Sequence, residues 1–190
     1  MADYFTQLVF RQNLKRAEIS PLEWLVLRHT FDFEDRDDGE VYFFSGENGE
    51  CSFLTLDVQE FREAYDAEAA DETRREAFVE KLKECEAYGD FDLDQILSST
   101  ENTFELEFDL RIWPWIVQQV VKRSTDLRYV AVFGSFTCSR VVRDGFGGEI
   151  TFITADRIEC CSTESLLKQF VSDMARNSLM IAEKLEAQET

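Results

Sequence analysis

The 190-residue sequence contains a single histidine, His29, and only two prolines. Its five cysteines are unevenly spaced, and no two of them form a C-x-x-C pair. A zinc site would need scattered cysteines to converge, so we expect reduced thiols and no metal site.

His29 has no nucleophile or orienting partner in its local sequence. We therefore expect a partly buried histidine near a helix C-terminus and not a catalytic base.

Long apolar runs are also missing. No stretch approaches the ~20 residues of a membrane-spanning helix, and the first residues do not pair a basic start with an apolar segment, as a secretory signal would. We therefore expect a cytoplasmic protein. Gly145, Gly147 and Gly148 do not have the spacing of a dinucleotide- or phosphate-binding loop. The sequence thus predicts a protein that is not an enzyme and holds no cofactor.

Basic residues are scarce in one part of the chain. The sequence has 39 acidic residues against 20 Lys and Arg, a net charge of −19. Between Asp32 and Asp109 there are 26 acidic and 6 basic residues, so the middle of the chain carries the whole excess. Such a field repels nucleic acid and anionic membrane and attracts basic protein surfaces. The stretch 31–40 lacks calcium ligands at EF-hand spacing, because Arg36 and Ser45 would occupy ligand positions; we expect a solvated acidic loop there.

Apolar periodicity predicts both strands and helices. Residues 104–110 alternate apolar and acidic side chains, as a half-buried strand does, and 113–123 carries apolar residues at helical spacing. Asn48-Gly49 indicates a hairpin turn between two further strands. The predicted strands are 4–10, 41–44, 51–56, 104–110, 128–135 and 149–155. The predicted helices are 21–30, 57–88 (two helices, with Asp71 as a cap), 92–98, 113–123 and 164–187.

The order strand, helix, strand, strand occurs twice, at 4–56 and at 103–156. We therefore expect a single α+β domain with a largely antiparallel or mixed sheet built from two βαββ-like units. Acidic helices are inserted at 57–100, and an amphipathic helix follows at 164–187. The apolar stripe of that last helix favours core packing, with a homodimer or partner face as the alternative. The connection 136–148 is long and rich in glycine, as functional loops often are.

Four short motifs resemble a family of small proteins of unknown function from bacterial plasmids and phages. The motifs are Tyr4-Phe5-Thr6 with Phe10, Thr137-Cys138-Ser139-Arg140, Phe146-Gly147-Gly148 and Ile153-Thr154-Ala155-Asp156. The resemblance implies a shared fold and a mobile-element setting. It implies no activity and no catalytic residues. The acidic middle of the chain does not follow the family.

The charge pattern favours an inhibitor that presents carboxylates in place of nucleic-acid phosphates. Alternate residues of a strand lie about 6.6–6.8 Å apart and share one face, which would set the acids of 101–109 in a row. Pooled with acidic loops, this row would bind the basic surface of a host restriction or CRISPR enzyme, without direct contact with nucleic acid or membrane. The carboxylates predicted for this surface are Asp35, Asp37, Asp38, Glu40, Asp90, Asp92, Asp94, Glu101, Glu105, Glu107 and Asp109.

Two other functions are open at this point. The chain could be a protein-interaction module whose acidity serves solubility, binding through the C-terminal helix or the 136–148 loop. It could also be an enzyme, for which Cys138 beside Ser139 would be the best nucleophile and Arg140 and Arg143 could lower the pKa of the thiol. No base accompanies that cysteine in the sequence, so no catalytic role is assigned.

Overall fold

A computed structural model of the chain describes residues 4–45, 53–108, 111–139 and 145–186. These ranges contain nine strands and six helices, and the α+β fold predicted from the sequence is confirmed. The strands are β1 (Tyr4–Phe10), β2 (Leu14–Lys15), β3 (Asp32–Asp35), β4 (Glu40–Ser45), β5 (Phe53–Asp57), β6 (Thr103–Glu107), β7 (Tyr129–Cys138), β8 (Phe146–Thr154) and β9 (Ile158–Ser162). The helices are α1 (Pro21–Thr30), α2 (Val58–Ala67), α3 (Glu72–Cys85), α4 (Leu93–Ser98), α5 (Trp113–Arg123) and α6 (Thr163–Glu186).

Side-chain caps begin the helices where the sequence predicts them. In α1 the hydroxyl of Ser20 accepts a hydrogen bond from the Glu23 amide, and the Glu23 carboxylate accepts one from the Ser20 amide at 2.9 Å. This capping box satisfies two amides that the helix itself leaves unpaired. Asp71 caps α3 and Asp92 caps α4 in the same way. The predicted helix starts are confirmed because they rest on local hydrogen bonds.

The strands form two separate antiparallel sheets. The larger has the order β2-β4-β1-β7-β8-β9, with β3 also paired to β4, and the smaller consists of β5 and β6. The predicted hairpin between β4 and β5 is wrong, because β5 pairs with β6 and sets Thr55 opposite Glu105. The Asn48-Gly49 turn itself lies outside the described residues. Strands of the two predicted βαββ units are interleaved, since β1 lies between β4 and β7.

Besides the two-residue strand β2, which was not predicted, three segments differ from the sequence prediction. Asp32–Asp35, expected in a loop, pairs with β4 as strand β3. β7 and β8 run on to Cys138 and back from Phe146, so six of the eight described residues of the predicted loop 136–148 are paired strand; residues 140–144 lie outside the described ranges. Gly147 lies opposite Phe136 in this hairpin, and a Cβ there would lie 1.9 Å from the Phe136 ring. The third segment is the edge strand β9, which the sequence analysis did not predict.

Helices α1 and α5 cover the inner face of the large sheet. Phe31, at the end of α1, meets Phe10 of β1 at 5.1 Å and Trp113 of α5 at 5.5 Å between ring centroids. On its other side α1 contacts α2 and β5. The molecule therefore has three layers, which are the large sheet, the pair α1 and α5, and a third layer of α2–α4 with β5–β6.

Helix α6 lies outside this core. It contacts β8 and β9, and its side chains Leu167, Phe170 and Val171 are exposed. For the stripe side chains that the structure describes, up to Met174, the prediction of core packing is wrong. An amphipathic pattern does not specify which surface covers the apolar side. Over the described residues, no helix has the length and apolar character needed to cross a membrane.

Two buried carboxylates meet at the N-terminus of α1. Glu68, at the end of α2, accepts a hydrogen bond from the Leu22 amide at 3.2 Å and pairs with Arg74 of α3 at 2.5 Å. Glu23 pairs with Arg123 of α5. Both glutamates are about 1% exposed. Their negative charge also complements the positive end of the α1 dipole, so four helices are tied together at one point.

We expect Glu23→Ala to lower the free energy of unfolding by about 2–4 kcal/mol, because it leaves the Ser20 amide without its capping-box acceptor and the Arg123 guanidinium without its carboxylate partner. Urea denaturation followed by circular dichroism measures this loss. Glu76→Ala, at an exposed site on α3, is the control and should change stability by less than about 0.5 kcal/mol. Equal effects of the two substitutions would show that the buried pair contributes nothing.

Candidate functional site

The strand β6 presents two carboxylates to solvent, as its alternating sequence predicts. Glu105 and Glu107 are exposed, while Leu106 between them is buried and Phe108 beyond them is buried too. The apolar side chains hold the strand on the core, so the acidic side chains must face outward. Glu101 precedes the strand, which begins at Thr103. It is exposed but does not belong to the row, and Asp109 lies outside the described residues.

An acidic cleft lies between β6 and the segment that joins α3 to α4. We use this name for the opening of about 170 Å³ whose rim carries Glu86, Asp90, Asp92 and Glu105. Its apolar lining comes from Phe91, Ile96, Phe104 and Leu106. The structure thus brings together three predicted carboxylates from two distant segments. Glu86 was missed by sequence reasoning, because it follows a helix whose acids alternate with lysines.

Backbone contacts hold the rim of the cleft in place. The Ala87 amide donates to the Glu107 carbonyl at 2.8 Å, which pins the connection against β6. The Glu86 carboxylate accepts hydrogen bonds from the amides of Tyr88 and Asp90, at 3.1 and 2.8 Å. Gly89, between them, has φ +71°, a conformation that glycine adopts without strain. The carboxylates are therefore carried on a fixed turn.

Helix α4 is held in position by Arg62 of α2. The Arg62 guanidinium donates to the carbonyls of Leu97, at 3.0 Å, and Ser99, at 2.5 Å, which belong to the end of α4. At the other end, Asp92 accepts a hydrogen bond from the Gln95 amide at 3.1 Å. Both ends of this six-residue helix are thus satisfied. Asp94 lies exposed in its first turn, close in sequence to the rim.

The acids of this region lack basic partners. From Glu86 to Glu107 the sequence has seven acidic residues and no Lys or Arg, and none of the seven forms an ion pair with another described residue. Helix α3 differs, because Glu80 and Glu84 pair with Lys83 and Lys81. The negative field is therefore concentrated at the cleft and weakened along the neighbouring helix.

The other four predicted carboxylates lie in the other sheet. Asp35 ends β3, Asp37 and Asp38 form a turn, and Glu40 begins β4. Glu40 accepts a hydrogen bond from Asn13 at 2.9 Å. Arg36, within this group, pairs with Glu34 at 2.6 Å, which reduces the local charge. Among the described residues no hydrogen bond or ion pair joins this group to the acidic cleft, so the ten predicted acids that the structure describes are divided between two regions.

A larger cleft of about 520 Å³ lies between α3, the start of α5 and β8–β9. Arg111 bridges it to Glu149 at 2.7 Å, and Cys85 and Cys160 also line it. Burial raises the pKa of the Cys85 thiol, which opposes formation of a reactive thiolate. Sequence reasoning missed this cleft because its residues come from four separate segments. The Glu149 carboxylate pairs with Arg111 and also accepts a hydrogen bond from the Cys160 thiol, with 3.8 Å between the sulfur and Oε2.

The described residues do not support the metal and nucleophile alternatives. Among them no three His, Cys, Asp or Glu side chains are placed to hold a metal ion. His29 is exposed and lies 3.4 Å from Glu60 of α2, and it is not hydrogen-bonded to a described cysteine or serine. Cys138 is buried at the end of β7. Arg140 and Arg143 lie outside the described ranges.

Comparison with known proteins gives no relative. No protein-family model matches the chain, no curated protein matches it, and no solved structure matches it.

We expect iodoacetamide to alkylate Cys160 of the native protein at least tenfold faster than Cys85 or Cys138. Cys160 is exposed, whereas the other two are buried and the raised pKa of Cys85 lowers its thiolate fraction further. Mass spectrometry of proteolytic peptides after timed quenching measures the three rates. In urea the three rates should converge. Fast, selective alkylation of native Cys138 would contradict this and restore the enzyme hypothesis.

Proposed function

We propose that the protein binds a basic surface of a nucleic-acid-binding enzyme and inhibits it by presenting carboxylates where phosphates would lie. The supporting observation is the acidic cleft, in which four carboxylates on a fixed frame lack basic partners. The resemblance to mobile-element proteins suggests that the target is a host defence enzyme of the restriction or CRISPR type. The proposal narrows the binding surface to the region 86–107 and leaves the group at 35–40 out of it.

The chemistry of the cleft fits long basic side chains. Arginine and lysine bind carboxylates through charge-assisted hydrogen bonds, and arginine can do so with two parallel bonds. The apolar lining beneath the rim suits the aliphatic part of such a side chain, whose charged end would meet the rim. The cleft therefore offers a phosphate-binding arginine of the target both carboxylates for its guanidinium and an apolar surface for its aliphatic chain.

The spacing of the carboxylates on β6 determines how many DNA phosphates the surface can imitate. Glu105 and Glu107 are two residues apart on a strand, or about 6.7 Å, whereas duplex DNA carries one charge per ~1.7 Å of its axis. The cleft therefore imitates a short footprint of a few phosphates and not a length of duplex. Affinity must come from a few well-placed contacts, while the excess negative charge accelerates association.

The alternative is an interaction module whose acidity serves solubility. One observation favours it, namely the exposed apolar stripe of α6. The use of the 136–148 loop in this alternative is weakened, because six of its eight described residues are paired strand. The two functions use different surfaces and can be tested separately.

We expect the triple variant Asp90→Asn, Glu105→Gln, Glu107→Gln to bind a basic probe about 10- to 100-fold more weakly than the native protein. Three partly exposed charge contacts contribute on the order of 1.5–3 kcal/mol together. The probe is a fluorescent deca-arginine peptide, measured by anisotropy at 50 and 300 mM NaCl. Inhibition of DNA cleavage by a restriction nuclease and by a CRISPR nuclease should fall in parallel.

The matched control is Asp35→Asn, Asp37→Asn, Asp38→Asn, which changes the net charge equally at the other acidic group. Asparagine is chosen at Asp38 because this residue has φ +62°, which asparagine also tolerates. The control should bind the peptide within about twofold of the native protein at equal ionic strength. If both variants lose affinity equally, binding depends on net charge alone and the cleft has no special role.

A further inference from the structure

Five apolar residues form a row across the outer face of the large sheet, opposite α1 and α5. The strand register places Val9 beside Phe44 and Phe133, Phe133 beside Ile150, and Ile150 beside Cys161. The row crosses five neighbouring strands, or about 19 Å at ~4.8 Å per strand. Val9, Phe133 and Ile150 are each about 40% exposed. Tyr129 and Phe146 extend the apolar surface along β7 and β8 and are exposed as well.

The described part of helix α6 carries a second exposed apolar surface. Its 24 residues span about 36 Å, and Leu166, Leu167, Phe170, Val171 and Met174 recur along one side. Phe170 is 60% and Met174 68% exposed. The hydrophobic effect makes such a stripe unfavourable in water unless another surface covers it. Helices of this kind draw most of their stability from packing and not from propensity.

The two surfaces meet at the start of α6. The Gly148 amide donates to the hydroxyl of Thr163, the first residue of the helix, at 3.3 Å. A hollow of about 230 Å³ lies there, lined by Phe133, Ile150 and Leu166 among others. The main contacts of α6 with its own large sheet are with β8 and β9. On β1 and β7 the row remains exposed at Val9 and Phe133.

We infer that two copies of this chain associate with the apolar stripe of each α6 seated on the outer sheet face of the other. A two-fold arrangement covers both surfaces of both copies at once, because each chain supplies one helix and one sheet. Ten large apolar side chains of the row, its extensions and the stripe are at least 40% exposed, and together they amount to on the order of 900 Å² of apolar surface per copy. A stable interface buries about 800 Å² per partner.

The charge distribution also favours a second copy. Each chain carries −19, so two copies repel each other at their acidic surfaces. Along β1 and β7 the exposed residues beside the row, Gln7, Ser135 and Thr137, are uncharged. The acids of this face lie towards its edges, with Asp32 opposite Phe44 and Glu159 opposite Phe152. Helix α6 has four acidic and three basic residues. This inference does not rest on the acidic cleft.

Sedimentation equilibrium of the full chain tests the inference. We expect the native protein at 10–100 μM to have twice its 22.1 kDa chain mass. Phe170→Glu on the helix and Phe133→Glu on the sheet should each shift dimer dissociation to at least 100-fold higher concentration. Matched controls are Gln169→Glu on α6 and Phe53→Glu, an equally exposed phenylalanine on β5. Both controls should remain dimeric.

Mixing separates this arrangement from other modes of association. The Phe133→Glu chain keeps an intact helix and the Phe170→Glu chain keeps an intact sheet face, so an equimolar mixture should recover part of the dimer. Circular dichroism verifies that each variant is folded, and Val9→Glu replaces Phe133→Glu if the latter does not fold. A native protein that is monomeric at every concentration overturns the inference. A Phe133→Glu chain that stays dimeric also overturns it, because the outer sheet face would then not be the surface that binds α6 of the other copy.

Discussion

The arrangement of the helices depends on two buried carboxylates at the N-terminus of α1. Glu23 and Glu68 accept hydrogen bonds from the amides of Ser20 and Leu22. They also form ion pairs with Arg123 of α5 and Arg74 of α3, respectively. The site joins segments that are about 100 residues apart in the chain. Buried charges are tolerated only when paired and hydrogen-bonded, so the four helices must keep this geometry together. The third layer, which carries the acidic cleft, is thereby fixed to the layer that covers the large sheet.

This constraint separates the charge of the molecule from its apolar surface. Helices α2 and α3 carry Glu68 and Arg74, and the end of α3 leads directly to Glu86 on the rim of the cleft. The unpaired acids of 86–107 therefore belong to the third layer. The outer face of the large sheet, on the far side of α1 and α5, carries the apolar row instead. The acids of the large sheet, including the 35–40 group, lie towards its edge on β3 and β4, so the central strands β1 and β7 carry uncharged exposed residues on this face.

Local features were predictable from the sequence, and distant pairings were not. The caps at Ser20, Asp71 and Asp92 and the alternation of β6 depend on residues within a few positions of each other. The pairing of β5 with β6 connects residues 46 to 54 apart, and a strong Asn-Gly turn signal pointed to a different partner. Likewise, the acids of the cleft were predicted individually, but only the fold shows that the 35–40 group lies elsewhere and that Glu86 joins the rim.

The two proposed contacts respond to salt in opposite directions, and this follows from their physical origin. Binding at the acidic cleft is an attraction between unlike charges, which dissolved ions screen. Association through α6 and the sheet face gains its free energy from apolar burial and is opposed by the mutual repulsion of two chains of −19, so screening removes an obstacle to it. The same ions that loosen the protein from a basic partner therefore bring its own copies together. An assembly that uses both surfaces therefore requires an ionic strength low enough for binding at the acidic cleft and high enough for two copies to associate.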